Sequence, residues 1–163
     1  MVLSIRRAAE ADAAPVAAVL NGVIAEGLTL FDERFTVDAE RAFIASLGPR
    51  SLLHVADVEG RIVGVQSLDR YSNWAESLRH VATMGTWLSG DARGRGIGRA
   101  LAIETLAAAR ALAYSKVVVT VLYDNHRALR FYRALGFQTI GVARQHVRRG
   151  DTLFDEVFLE LLL

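Results

Sequence analysis

The sequence predicts a single mixed α/β sheet domain. Apolar residues recur at helical spacing in four stretches, and seven others read as β-branched or alternating strand segments. No linker, repeat or low-complexity tract separates them, so the 163 residues are expected to form one domain, 1–163.

Ser4–Arg7 is short enough for an edge strand. Asp12 then precedes Val16, Val19, Leu20, Val23 and Ile24, a helical stripe with Asp12 as its expected N-cap and Gly27 as its stop. Residues 28–35 read as a loop. Thr36 is placed to cap a second helix, with Asp38 and Glu40 suited to its positive end and Gly48-Pro49 closing it. Leu52–Val58 and Arg61–Leu68 flank Glu59-Gly60, a hairpin pattern. The polar stretch Asp69–Ser77, with Tyr71, Asn73 and Trp74, is expected to be a loop over a surface cleft. His80–Leu88 is the next strand, and a basic, glycine-rich turn leads to the long helix Ile97–Ala113. Lys116–Leu122 is the most strand-like run. Asn125–Leu135 is a short helix with Gly136 at its C′ position. Phe137–Val147 and Thr152–Leu162 are the last two strands, with Arg149-Gly150-Asp151 as their turn. The expected order is β-α-α-β-β-β-α-β-α-β-β.

Composition narrows the function classes. There is no cysteine, which excludes disulfides, cysteine-based zinc sites and a thiol nucleophile, and no metal site is expected. A net charge of +1 argues against nucleic-acid binding through bulk charge, although a local basic patch would not show in it. With 52% apolar and 23% charged residues the chain is not disordered. Its apolar runs are too short for a membrane span, and Arg6 interrupts the start before a signal-peptide core can form. A soluble, cytoplasmic protein is expected.

Arg93-Gly94-Arg95-Gly96-Ile97-Gly98-Arg99 lies between a predicted strand and a predicted helix. Glycines let backbone N–H groups converge, and a helix start adds unpaired N–H groups and a positive dipole end. Physically this is a socket for a phosphate or pyrophosphate. It is not a dinucleotide fingerprint, because Arg99 stands where the third glycine belongs, and the Gly-Lys-Ser/Thr of a P-loop is absent. A helix start with flexible glycines and no ligand is the lesser alternative for this turn taken alone.

The second motif is Asn125-x-x-Ala128-x-x-x-Tyr132-x-x-x-Gly136-Phe137, a helix and a strand after Arg93-x-x-Gly96-x-Gly98. Together, in this order and spacing over His80–Phe137, the two resemble the GCN5-related N-acetyltransferase (GNAT) family. The resemblance implies a mostly antiparallel sheet with a splayed central strand and flanking helices. It also implies an acyltransferase using acetyl-CoA as donor. The turn Gly94, Arg95, Gly96, Ile97, Gly98 and Arg99, with Arg93 before it, would hold the pyrophosphate. Backbone groups of Thr86, Trp87 and Leu88 would pair with the pantetheine arm, and Asn125 would bond the same arm. Tyr132 is the expected catalytic residue, donating to the leaving sulfur as a phenol can. Outside the motif Tyr132 reads as a core aromatic and Asn125 as a helix cap.

Asn21-Gly22-Val23-Ile24 and Thr29-Leu30-Phe31-Asp32 resemble the phosphinothricin and L-amino-acid N-acetyltransferase branch, which implies a small amino-acid-like amine as acceptor. In that branch a glutamate serves as general base, and its position falls on Thr83 here. The remaining base candidates are Glu26, Glu33, Asp69, Glu76 and His80, each also readable as a solvated surface group. Arg144, Arg148 and Arg149 read as a solvated basic turn, or as a grip on a substrate carboxylate. Two other functions stay open: acetylation of a protein N-terminus or lysine, and a non-catalytic acetyl-CoA sensor. The resemblance also implies a homodimer, and the apolar run Phe158–Leu163 suits either the core or a dimer seam.

Overall fold

The computed structural model describes residues 2–163. Its elements follow the expected order: β1 Leu3–Arg7, α1 Ala13–Ala25, α2 Val37–Ser46, β2 Leu52–Val58, β3 Arg61–Arg70, β4 Val81–Leu88, α3 Ile97–Ala111, β5 Lys116–Leu122, α4 His126–Ala134, β6 Gln138–Arg149 and β7 Thr152–Leu162. The strands form one seven-stranded sheet in the order β1-β2-β3-β4-β5-β7-β6. Every pairing is antiparallel except β4 with β5, so the expected mostly antiparallel α/β sheet is what forms.

Each sheet face carries its own core. On one, Ala13, Val16 and Leu20 of α1 and Ile44 of α2 pack on Leu53, Val55 and Val65. On the other, Leu106 and Ala109 of α3 and Leu129 and Tyr132 of α4 pack on Leu68, Met84, Val117 and Val119. A bulge at Ala56/Asp57 shifts the β2–β3 register. Beyond it, side chains alternate regularly, so Gly64, Gln66 and Leu68 share the α3/α4 face. The last strand, β7, lies inside the sheet with Leu159 fully buried, while Leu162 is 72% exposed.

Two local expectations change. Asp12 precedes α1, but its carboxylate does not cap that helix. It accepts from Ala9 N at 2.7 Å, closing the 3₁₀ turn Glu10–Asp12, and from Arg6 at 2.6 and 2.9 Å. The guanidinium draws the Asp12 pKa below the usual carboxylate range. Thr36 does cap α2, accepting from Ala39 N at 3.1 Å. The second change concerns 69–77. β3 runs on through Arg70, and the connection to β4 carries a 3₁₀ turn at Glu76–Leu78 and an outward Trp74, 89% exposed. This connection emerges at the start of β4, whereas the glycine-rich turn follows its end. Among the described residues no helix is long and apolar enough to cross a membrane.

Candidate functional site

The site grows from a break in the sheet. The parallel β4–β5 ladder is three residue pairs long, Val81↔Lys116 to Thr83↔Val118. β4 stays paired with β3 as far as Gly64↔Leu88, so the two halves of the sheet part between Met84–Leu88 and Val119–Leu122. The gap opens into a cleft of about 680 Å³. The strand splay implied by the sequence resemblance is therefore present.

The turn at one end of the cleft has the form its glycines require. Gly94 and Gly96 sit at φ +72° and +80°, the left-handed region, and a Cβ at either would meet no heavy atom within 4 Å. Helical bonding in α3 begins with Ala100 N donating to Gly96 O, so the N–H groups of Ile97, Gly98 and Arg99 precede the helix's own ladder. Gly98 fills a different need: a Cβ there would lie 3.1 Å from Leu88 and 3.2 Å from Phe131. The glycine lets the helix start close on β4 and α4.

Of the residues expected at a cofactor site, Thr86, Trp87, Leu88, Arg93, Gly94, Gly96, Gly98, Arg99 and Asn125 line the cleft, with Tyr132. Ile97 is fully buried, its side chain packed with Ala56, Val63, Ala92 and Leu101. Arg95 is exposed beside the cleft rather than in its lining. Two of these lining side chains also bond within the protein. Arg93 forms a bidentate pair with Glu26, at 2.7 and 2.8 Å, and donates to Leu88 O at 2.8 Å. Asn125 caps α4, its Oδ1 accepting from Ala128 N at 3.1 Å, and its Nδ2 donates to Leu28 O at 2.9 Å. Both side chains thus hold the segment after α1 over the cleft. Asn21 anchors the far end of that segment with both ends of its amide on the backbone of Phe35, at 2.8 and 2.9 Å. Arg127 and Arg130 also line the cleft, a contribution of α4 that the motif did not reveal.

One wall is aromatic. Phe31 stacks edge-on with Phe35 at 5.0 Å and lies 5.7 Å from Trp87. The Trp87 indole folds over Gly85, where a Cβ would come within 2.2 Å of the ring. On the opposite face of β4, Thr86 Oγ1 lies 3.0 Å from Tyr132 Oη and accepts from Gln66 Nε2 at 2.8 Å. Tyr132 is 5% exposed and packs against Phe131 and Phe137. Burial pushes its pKa up to about 12, with the Thr86 bond pulling slightly the other way. The phenol keeps its proton well above neutral pH.

The base candidates scatter. Glu26 lines the cleft but is paired with Arg93. Thr83 lines it too. Asp69 accepts from Ser51 Oγ and Arg70 N, and Glu76 pairs with Arg79. His80 lies at a shallow depression with Arg50 and Arg79, away from the cleft. Glu33 is exposed and is not among the lining residues. Within the basic turn, Arg149 donates to Gly27 O.

A glycine turn with free helix-start N–H groups, an opened strand and a buried phenol facing that strand meet at one cleft. Comparison with known proteins gives the class. The acetyltransferase (GNAT) family profile matches residues 9–137, and the chain belongs to that family. It is 26% identical to an L-amino acid N-acyltransferase of Escherichia coli, over 99% of this chain and 94% of that one. It is also 26% identical to an L-methionine sulfoximine/L-methionine sulfone acetyltransferase of Pseudomonas aeruginosa, over 100% and 96%. Among solved structures, a Salmonella typhimurium putative acetyltransferase with its cofactor acetyl-CoA superposes with a TM-score of 0.91 at 21% identity, over 100% and 95% of the two chains. That last match speaks for the fold.

Proposed function

We propose that this chain moves the acetyl group of acetyl-CoA directly onto the primary amine of a small, amino-acid-like molecule. The observation that carries the reading is the Tyr132 hydroxyl, held 3.0 Å from Thr86 on the strand that parts from its neighbour. The N–H groups of Gly94–Arg99 would receive the pyrophosphate, with Arg99, Arg127 and Arg130 adding positive charge. Met84–Leu88 would pair with the pantetheine arm as a sheet edge does. Acetyl-CoA supplies an activated thioester and a thiol leaving group. Tyr132, protonated at neutral pH, donates to that leaving sulfur. With no cysteine in the chain, transfer needs no covalent cysteine intermediate.

The small-amine reading rests on two supports. The relatives named above, matched over nearly their whole length, are described as acting on amino acids and methionine analogues. The Phe31, Phe35 and Trp87 wall is a surface for an apolar side chain.

The test is release of free thiol from acetyl-CoA with a panel of L-amino acids, methionine sulfone, polyamines and short peptides. Acetylation of amino-acid-like amines is expected, and Tyr132→Phe should lower kcat roughly 10²-fold. Faster turnover of peptides would move the acceptor to proteins. Binding of acetyl-CoA with no amine acetylated would make the chain a sensor.

A further inference from the structure

Gln66 is fully buried in the middle of β3, directly across the ladder from Thr86. A polar side chain at such a position needs partners on both ends of its amide. Only one end has them. Nε2 donates to Thr86 Oγ1, while Oε1 is buried with no hydrogen-bond partner. The reversed amide would leave the NH₂ donors facing that unpartnered side instead, and orphaned buried N–H groups are rarer than under-satisfied carbonyls. The observed orientation therefore stands on its own energetics. It also leaves the Thr86 hydroxyl proton free to be donated elsewhere. A threonine oxygen that already accepts from Gln66 can still donate its one proton, and Tyr132 Oη lies 3.0 Å away.

We propose that Gln66 and Thr86 form a positioning relay that aims the Tyr132 proton at the leaving sulfur. This rests on the role given to Tyr132 above. With Thr86 donating to Tyr132 Oη, the phenol's own hydrogen turns away from Thr86 toward the cleft. During transfer the amine nitrogen bonds the acetyl carbon, the C–S bond breaks with its electron pair on sulfur, and sulfur takes the Tyr132 proton. The amine's surplus proton leaves to water, and water returns one to the tyrosine oxygen. While that oxygen carries negative charge, the Thr86 hydroxyl donates to it, and the Gln66 N–H polarises Thr86. Neither residue touches the reacting atoms.

The test is a double-mutant cycle on kcat, using acetyl-CoA and the fastest amine of the panel. Thr86→Val keeps the shape and removes the donor. It is expected to lower kcat about 10- to 100-fold, the scale of a hydrogen bond to a charged group, with KM for acetyl-CoA unchanged. Thr86→Ser should recover most of the rate. Gln66→Leu, which removes only the polarising amide, should cost about 3- to 10-fold. In a Tyr132→Phe background both changes should cost nothing further. Equal losses in both backgrounds would mean general damage to the site and overturn the relay. So would a full-rate Thr86→Val beside a slow Tyr132→Phe. A full-rate Tyr132→Phe would remove the tyrosine from the chemistry and the relay with it. The thermal shift produced by acetyl-CoA identifies any variant that fails to fold.

Discussion

Gly96→Ala separates backbone strain from cofactor recognition. The residue sits at φ +80°, and a methyl there would meet no protein atom within 4 Å. The cost to the free protein is the left-handed conformation alone, about 1–2 kcal/mol. For a chain of this size each kcal/mol lowers Tm by about 2–4 °C, so a fall of about 2–8 °C is expected. Gly60→Ala is the matched control: φ is +85°, space is again open, and the site is a hairpin turn between β2 and β3. The two variants should lose similar Tm without ligand and diverge with it. A hydrogen bond to a charged group contributes about 1.5–3 kcal/mol, and a methyl over the Gly94–Arg99 turn would remove at least one to pyrophosphate. That weakens Kd by about 10- to 150-fold. With acetyl-CoA at about 100 times the unmodified protein's Kd, ligand stabilisation is about 2.7 kcal/mol for the unmodified protein and for Gly60→Ala. It falls to between about 0.3 and 1.4 kcal/mol for Gly96→Ala. The assay is thermal unfolding of the three proteins with and without acetyl-CoA. An equal ligand shift in Gly96→Ala and Gly60→Ala would refute the placement of the pyrophosphate.

Three further outcomes are expected. Gly85→Ala places a Cβ within 2.2 Å of the Trp87 ring, so the indole must leave its contact with Phe31; KM for the acceptor should rise about tenfold with little change for acetyl-CoA, and an unchanged acceptor KM would remove that wall from recognition. His54, buried and bonded to Thr105 Oγ1 at 2.8 Å, has its pKa lowered from 6.5, first by burial and then by Arg7. The unfolded chain binds more protons below pH 6.5, so this contribution to stability is full above 6.5 and erodes as pH falls toward the lowered native value. Tm measured from pH 7.5 to 5 should fall more steeply in the native protein than in His54→Gln, and parallel curves would exclude the effect. Finally, kcat/KM for the amine should rise about tenfold per pH unit up to the amine's own pKa, and a plateau well below it would reveal an enzyme base.

The element order was legible because the chain changes period cleanly. Lys116–Leu122 and Thr152–Leu162 match their strands end to end. The glycine turn and Tyr132 were legible as a pair of motifs. What failed to show was which partner a polar side chain would find. Arg93 and Asn125 line the cleft, and Asn125 caps α4 as its sequence position suggested, but the bonds by which both also hold the segment after α1, 67 and 97 residues away, left no sequence signal. The aromatics of 69–77 suggested a cleft wall, but the end of a strand from which a connection emerges is a property of topology. Gln66 left one trace, a lone amide in the apolar run Ile62–Leu68. Its meaning appears only when the register sets it opposite Thr86.

The two sides of the proposed reaction are built unequally. On the leaving-group side, Tyr132 is buried, ring-packed and backed by Thr86 and Gln66. On the acceptor side, Thr83 stands where the sequence resemblance implies a glutamate, and the carboxylate that does line the cleft, Glu26, is held in a bidentate pair by Arg93. Freeing Glu26 to act as a base would leave Arg93 with only the Leu88 carbonyl and loosen the segment that covers the cleft. If transfer proceeds as proposed, acceptors that reach the site already neutral are expected to be favoured. Within one series of amines, the less basic members should then be turned over faster at neutral pH than their affinity alone predicts, so proton availability, as well as shape, would select the substrate.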